Sequence, residues 1–189
     1  LLLEGKTDFL ATLQDMQGLV SFTDESANNL LHLLIQQGAK STALAEVLRV
    51  LSESARAQLF AASNTAGSTA LHLAVSRKAT NIIKLFGEYT CGIHNKLDKD
   101  GYSALHLAIR AGLPDLVKLL ITYGASILTH TNKKETCGML AKDEETTKLL
   151  DAVQRKSKKR RVFLLYAADQ RSHASVLANA LAIQKFSAL

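Results

Sequence analysis

The chain of 189 residues is 47% hydrophobic and 21% charged, a globular balance that excludes wholesale disorder and suits one domain, with or without an appendage. Its formal charge of +6 is uneven, because residues 1–154 hold 15 Lys and Arg against 16 Asp and Glu, whereas RKSKKRR at 155–161 holds six basic residues and no acid. That distribution excludes an even positive coat for tracking a nucleic-acid backbone, and two isolated cysteines, Cys91 and Cys137, exclude a disulfide framework or a CxxC zinc site and fit a reducing, intracellular compartment.

In chain order, the sequence opens on LLLEG, already in mid-pattern and without Met, as expected of a fragment. GKT at 5–7 has the ending of a phosphate-binding loop, but the apolar LLLE before it lacks the glycines whose amides would cradle phosphate. LLLEGKTDFLATL instead fits the end of one helix, a break at Gly5 and a second helix bearing Phe9, Leu10 and Leu13.

A repeat comes next. His72 and His106 lie in GSTALHLA and GYSALHLA, 34 residues apart, and each is followed by the same apolar spacing: Ile82, Ile83, Leu85 and Phe86, then Leu116, Val117, Leu119 and Leu120. NNLLHLL places His32 earlier, and ETCGMLA continues the pattern later. Thr69, Ser103 and Thr136 stand where helix N-caps belong; Gly112, Pro114 and Asp115 break the chain before a second helix, and Gly124 stops it. Each copy therefore reads as helix, turn, helix and a polar hairpin such as NKLDKDG at 95–101, too small to bury its own apolar face, so copies must stack. DKDG at 98–101 resembles the start of a calcium loop, but Ile109 occupies the place of the bidentate Glu.

NKLDKDGYSALHLAIRAGLPDLVKLLITYGAS, with its ~33-residue period and near-complete T-P-L-H-x-A core, resembles the ankyrin repeats over roughly residues 1–153. Ala70 and Ala104 replace the motif's proline, and in the last copy Lys134 stands at the hairpin glycine while Gly138 and Met139 replace Leu-His, as in a terminal cap. The resemblance implies an all-α solenoid of about five units: 1–20, 21–60, 61–94, 95–128 and 129–153. The second unit exceeds the period, and its elongated outer helix is similar to the first repeats of the inhibitor-of-NF-κB group. The resemblance also makes His32, His72 and His106 scaffold residues hydrogen-bonded around helix starts; one histidine per stacked repeat cannot converge on a metal.

With no Cys/His pair, GxSxG or HExxH motif, catalysis, a metal and a cofactor are not expected. The family likeness implies a non-enzymatic protein-binding module whose concave groove is lined by hairpin tips and inner helices, placing Arg77, Lys99, Tyr102, Arg110 and Lys133 at the partner. Tyr102 and Arg110 lead, since aromatic and Arg anchors dominate interfaces. Arg155, Lys156, Lys158, Lys159, Arg160 and Arg161 read either as a nuclear import signal bound by an import receptor or as a linker or basic helix end, with nucleic-acid or acidic-lipid contact a smaller third use. RVFLLYAAD at 161–169 reads as a buried strand, and SHASVLANALAIQKF as a helix capped by Ser172. Residues 162–189 are then a docked helical extension or the start of another domain, the latter similar to receptor-signalling domains of the Toll/interleukin type. Two roles are implied: a nuclear or shuttling regulator, in cytoplasm or nucleus, or the targeting arm of a larger enzyme or host-directed effector. No segment reaches the ~20 apolar residues of a membrane helix.

Overall fold

The computed structural model describes residues 16–89 and 93–169. The expected helix pair in LLLEGKTDFLATL and the helix capped by Ser172 lie outside these residues, as does Cys91. Among the described residues all regular structure is helical, apart from isolated single-residue bridges.

Three inner helices, Leu30–Gln36, Ala70–Ser76 and Ala104–Arg110, have seven residues each, too few to be stable alone in water. Each buries one stripe at the same spacing: Leu31, Leu34 and Ile35; Leu71, Ala74 and Val75; Leu105, Ala108 and Ile109. The stripes require neighbours, and the inner helices pack on one another in chain order, the short helix Cys137–Leu140 closing the series. Outer helices Ser41–Val50, Thr80–Tyr89 and Pro114–Thr122 cover them, with Leu44, Ile83, Phe86 and Leu120 buried. Phe86 meets Phe60 edge-on at 4.9 Å between ring centres.

Before each inner helix the chain forms a finger. Thr23–Asn29, Ser63–Thr69 and His130–Thr136 close with an antiparallel bridge; the third finger, 97–103, closes with the Asp98 amide donating to the Tyr102 carbonyl at 2.9 Å. Adjacent fingers are tied by equivalent bonds: Thr65 N to Ser26 O at 2.9 Å, Lys99 N to Ala66 O at 3.1 Å and Asn132 N to Asp100 O at 3.2 Å. Such close approach explains Gly67 and Gly101, which take φ +74° and +80°; a Cβ on Gly67 would lie 2.7 Å from the Lys99 nitrogen, and one on Gly101 would strike the Asn132 backbone. Lys134 takes the same left-handed conformation at φ +61° in the fourth finger.

Two sequence expectations are corrected. The excess of the second unit is not an elongated outer helix but a separate one, Glu53–Ala61. Leu51 leaves the helical conformation, Ser52 caps the new helix by accepting from the Ala55 amide at 3.2 Å, and the Arg56 guanidinium donates to the carbonyl of Leu48 at 3.0 Å. Nor do residues 161–169 form a strand: the helix Glu144–Asp169 runs through them. It starts at Asp143, whose carboxylate accepts from the Thr146 amide at 2.7 Å, and carries Glu144 and Glu145 in its first turn. No Gly or Pro interrupts it, so a run rich in Leu and Ala continues the helix despite its strand-like hydropathy. The same helix carries 155–161, which is therefore neither extended nor at a helix end. By contacts the chain divides after Thr147.

Candidate functional site

The three histidines are settled by geometry. His72 Nδ1 accepts from the Thr69 amide at 3.1 Å while Nε2 lies 3.0 Å from the Tyr102 carbonyl, so a neutral ring donating from Nε2 satisfies both. His106 repeats this with the Ser103 amide at 3.1 Å and the Thr129 carbonyl at 3.2 Å. His32 reaches Ser68 O at 2.9 Å, but its Nδ1 faces Asn29 Oδ1 at 2.7 Å. Each ring thus joins the start of its own helix to the next finger, and burial holds all three below the ordinary histidine pKa. They are scaffold: the frame uses both ring nitrogens of His72 and His106, and a neutral His32 donates to one of its two facing acceptors.

Each finger is folded by its own acceptor. Asp24 Oδ1 accepts from the amides of Ser26 and Asn28, Asn64 Oδ1 from Ala66 and Ser68, and Asp98 Oδ1 from Asp100 and Tyr102, at 2.7–3.0 Å. In the fourth finger Thr131 Oγ1 takes this place for Glu135 N at 3.1 Å. The Asn28 side-chain amide, which donates to Asp24 Oδ2 at 2.9 Å, together with these backbone amides keeps Asp24 below the usual carboxylate range.

The exposed side chains around this frame include those singled out by sequence. Lys99 and Lys133 project from the tips of the third and fourth fingers, Arg110 ends its inner helix, and Arg77 caps the previous one. Tyr102 is half-buried beneath Arg110, whose guanidinium carbon sits 4.6 Å from the ring centre. Its hydroxyl lies 3.4 Å from Glu135 Oε2, and Asn132 Nδ2 donates to the Lys99 carbonyl at 2.7 Å. The third and fourth fingers therefore bring Lys99, Tyr102, Arg110 and Lys133 into one neighbourhood. Arg77 caps the adjacent inner helix.

Sequence reasoning missed two members of this neighbourhood. Glu135 links Tyr102 to Thr131, accepting from its hydroxyl at 3.2 Å, and Lys134 stands at a glycine position whose cost was legible but whose place beside the Tyr102 cluster was not. A row of half-exposed leucines, Leu33, Leu73 and Leu107, also runs along the inner helices, one residue after each histidine. In the basic run, Arg155 and Lys156 are exposed.

A cavity of about 610 Å³ opens at the turns between inner and outer helices, lined by residues such as Lys40, Thr42, Lys78 and Thr80. It has wide access to solvent and no assembly of acid, base and nucleophile. Cys137, buried in the fourth inner helix, has its thiol pushed up to about 11 by burial, which makes it a poor nucleophile. Among the described residues no group of three or more His, Cys, Asp or Glu side chains is placed to hold a metal, and no helix is long and apolar enough to cross a membrane.

Comparison with known proteins agrees with the stacked fingers and helix pairs. The family model for ankyrin repeats in three copies matches residues 13–131. No curated protein sequence matches the chain. Period, capping histidines and finger ladder, together with that match across more than half its length, place the chain in the ankyrin-repeat family, whose repeats are in general protein-interaction modules and non-catalytic scaffolds.

Proposed function

We propose that this chain binds a protein partner in the concave groove of its repeat stack, with the third and fourth fingers as the energetic centre. The observation that carries this is the Arg110 guanidinium stacked at 4.6 Å on Tyr102, whose hydroxyl also reaches Glu135 of the fourth finger. The pair offers a flat, pre-ordered surface of the residue types that most often anchor interfaces, and the Glu135 contact holds Tyr102 in place at little further entropy cost. Lys99 and Lys133 flank it on the finger tips, Arg77 extends it toward the previous repeat, and Leu107 adds partly exposed apolar area on the inner helix.

The role assigned to the basic run is nuclear entry, making the chain a nuclear or shuttling regulator. An import receptor grips basic side chains along an extended backbone, so this role requires the helix to open around Arg155–Arg161. A fluorescent fusion should accumulate in nuclei and lose that accumulation when Lys158, Lys159, Arg160 and Arg161 become Ala.

The binding surface itself is tested by capture of native partners with the wild-type chain, a Tyr102→Ala/Arg110→Ala variant and a Lys84→Ala/Lys118→Ala variant on the outer helices. A partner lost roughly tenfold or more from the first variant alone supports the groove. Equal recovery from all three would remove it.

A further inference from the structure

Resting on the interaction reading above, we propose that the partner segment held between the third and fourth fingers is an acidic, extended stretch of protein. Lys99, Lys133 and Lys134 take its carboxylates at the tips, and Arg110, stacked on Tyr102, takes another at the base.

The fingers dispose of their charges unequally. Asp98 turns Oδ1 toward the amides of Asp100 and Tyr102, and Glu135 turns Oε2 toward the hydroxyls of Tyr102 and Thr131. Both carboxylates are engaged in holding the fold. Lys99, Arg110, Lys133 and Lys134 are all exposed and have no ion pair among the described residues, whereas Arg49 pairs with Glu46 at 2.9 Å on an outer helix. Asp100 is the fully exposed carboxylate that opposes this field, and with the hydrogen-bonded, half-buried Asp98 and Glu135 three carboxylates face four cations. The first finger is the reverse, with Glu25 exposed, Asp24 bound to backbone and no cation from residue 23 to 29. The finger row is therefore polarised, and an acidic segment has one end to prefer.

Lys134 adds a further cation at the end of the row. Its left-handed backbone, at φ +61°, occupies the place filled by Ala27, Gly67 and Gly101 in the other fingers, so a residue with a Cβ stands there in the first finger as well as the last. No finger comes after the fourth in the described residues, so the steric demand that fixes Gly101 does not apply, and the lysine can project where the ladder stops. The Lys133 carbonyl is the acceptor equivalent to Ser26 O, Ala66 O and Asp100 O, and it takes no finger amide in the described residues. An extended backbone can donate to it while its side chains reach the lysines on either side. A nucleic acid fits less well, because base stacking needs an open aromatic face and Arg110 covers that of Tyr102.

The test uses fluorescence anisotropy on the 189-residue chain with three probes: a labelled 15-residue Asp/Glu-rich peptide, a Ser/Gly peptide of the same length, and a thymidine oligonucleotide of matched charge. Three variants are compared by circular dichroism and thermal melting before binding is read. Lys99→Ala/Lys133→Ala/Lys134→Ala removes the finger cations, Lys40→Ala/Lys84→Ala/Lys118→Ala removes the same charge elsewhere, and Lys158→Ala/Lys159→Ala/Arg160→Ala/Arg161→Ala removes most of the basic run. The expected result is preference for the acidic peptide, a loss of roughly tenfold in the finger variant and less than about twofold in the outer-helix variant, with most binding kept without the basic run.

Indifference to peptide charge, equal loss in the two triple variants, or a loss confined to the basic-run variant would each overturn the proposal. So would an oligonucleotide bound as tightly with the same dependence on the fingers. If the acidic peptide fails while native-partner capture still depends on Tyr102 and Arg110, the groove stands and only the acidic assignment falls.

Discussion

The third and fourth repeats share a plan, but the third has another finger beyond it and the fourth, among the described residues, has none. In the third, His106 is fully buried, bonded to the Ser103 amide at its own helix start and to the Thr129 carbonyl leading into the next finger. In the fourth, Met139 holds the histidine's place at 73% exposure, and Thr136 caps the helix with no ring returning the bond. The histidine is thus a device for joining repeats. Where there is no further finger to reach, its two-sided hydrogen bonding has no use, and the position is released to an exposed thioether.

The largest effect that should divide the two repeats is His106→Ala, which strands the Ser103 amide and the Thr129 carbonyl and opens a cavity; a loss of about 2–4 kcal/mol is expected in urea unfolding. Met139→Ala, its positional equivalent, belongs at the other extreme, within about 0.5 kcal/mol of wild type. Equal losses at the two sites would dissolve the contrast.

Next in size is Gly101→Ala, which combines a left-handed backbone with a collision against Asn132; about 2–3 kcal/mol should be lost. The reciprocal change in the fourth finger, Lys134→Gly, relieves a Cβ at the same conformation and should raise stability by about 0.5 kcal/mol. A destabilised Lys134→Gly would show that the lysine side chain holds the last finger rather than facing a partner.

A third division is by pH. Burial lowers the pKa of His32, His72, His94 and His106 in the folded chain, so near neutrality and below the unfolded chain binds more protons. Their contribution is fully present above the ordinary histidine value of about 6.5 and is lost as pH falls through it toward the depressed values. Unfolding midpoints should be flat from pH 8 to 7 and decline toward 5.5, and His106→Ala should flatten that decline slightly. Stability that rises on acidification would contradict the buried neutral rings.

Much of this frame was legible because it is periodic. The repeat of capping hydroxyl, Leu-His-Leu and Gly at fixed offsets specifies the fingers, the inner helices and their stacking through local chemistry that recurs. The separate helix Glu53–Ala61 was not legible, since Ser52 and Arg56 end one helix and begin another within an unbroken stretch of helix formers. The apolar run after the basic residues was misread for the opposite reason: its hydropathy suits a strand, but a helix started at Asp143 meets nothing that stops it before Asp169. Among the surface residues, Tyr102 and Arg110 were both singled out, but their stacking depends on how a finger and the end of its own helix fold together, and the Glu135 link on the side chains of two adjacent repeats. Those appear only once the repeats are packed.

The most direct test of the binding surface is a photo-cross-linking amino acid placed singly at Lys99, on the third finger, and at Lys118, on the outer helix, in cells expressing the chain. The groove assignment predicts a discrete protein adduct from position 99 that is absent from position 118 and lost when Tyr102 and Arg110 are alanine. Adducts from position 118 alone, or alike from both, would place the interaction elsewhere on the molecule.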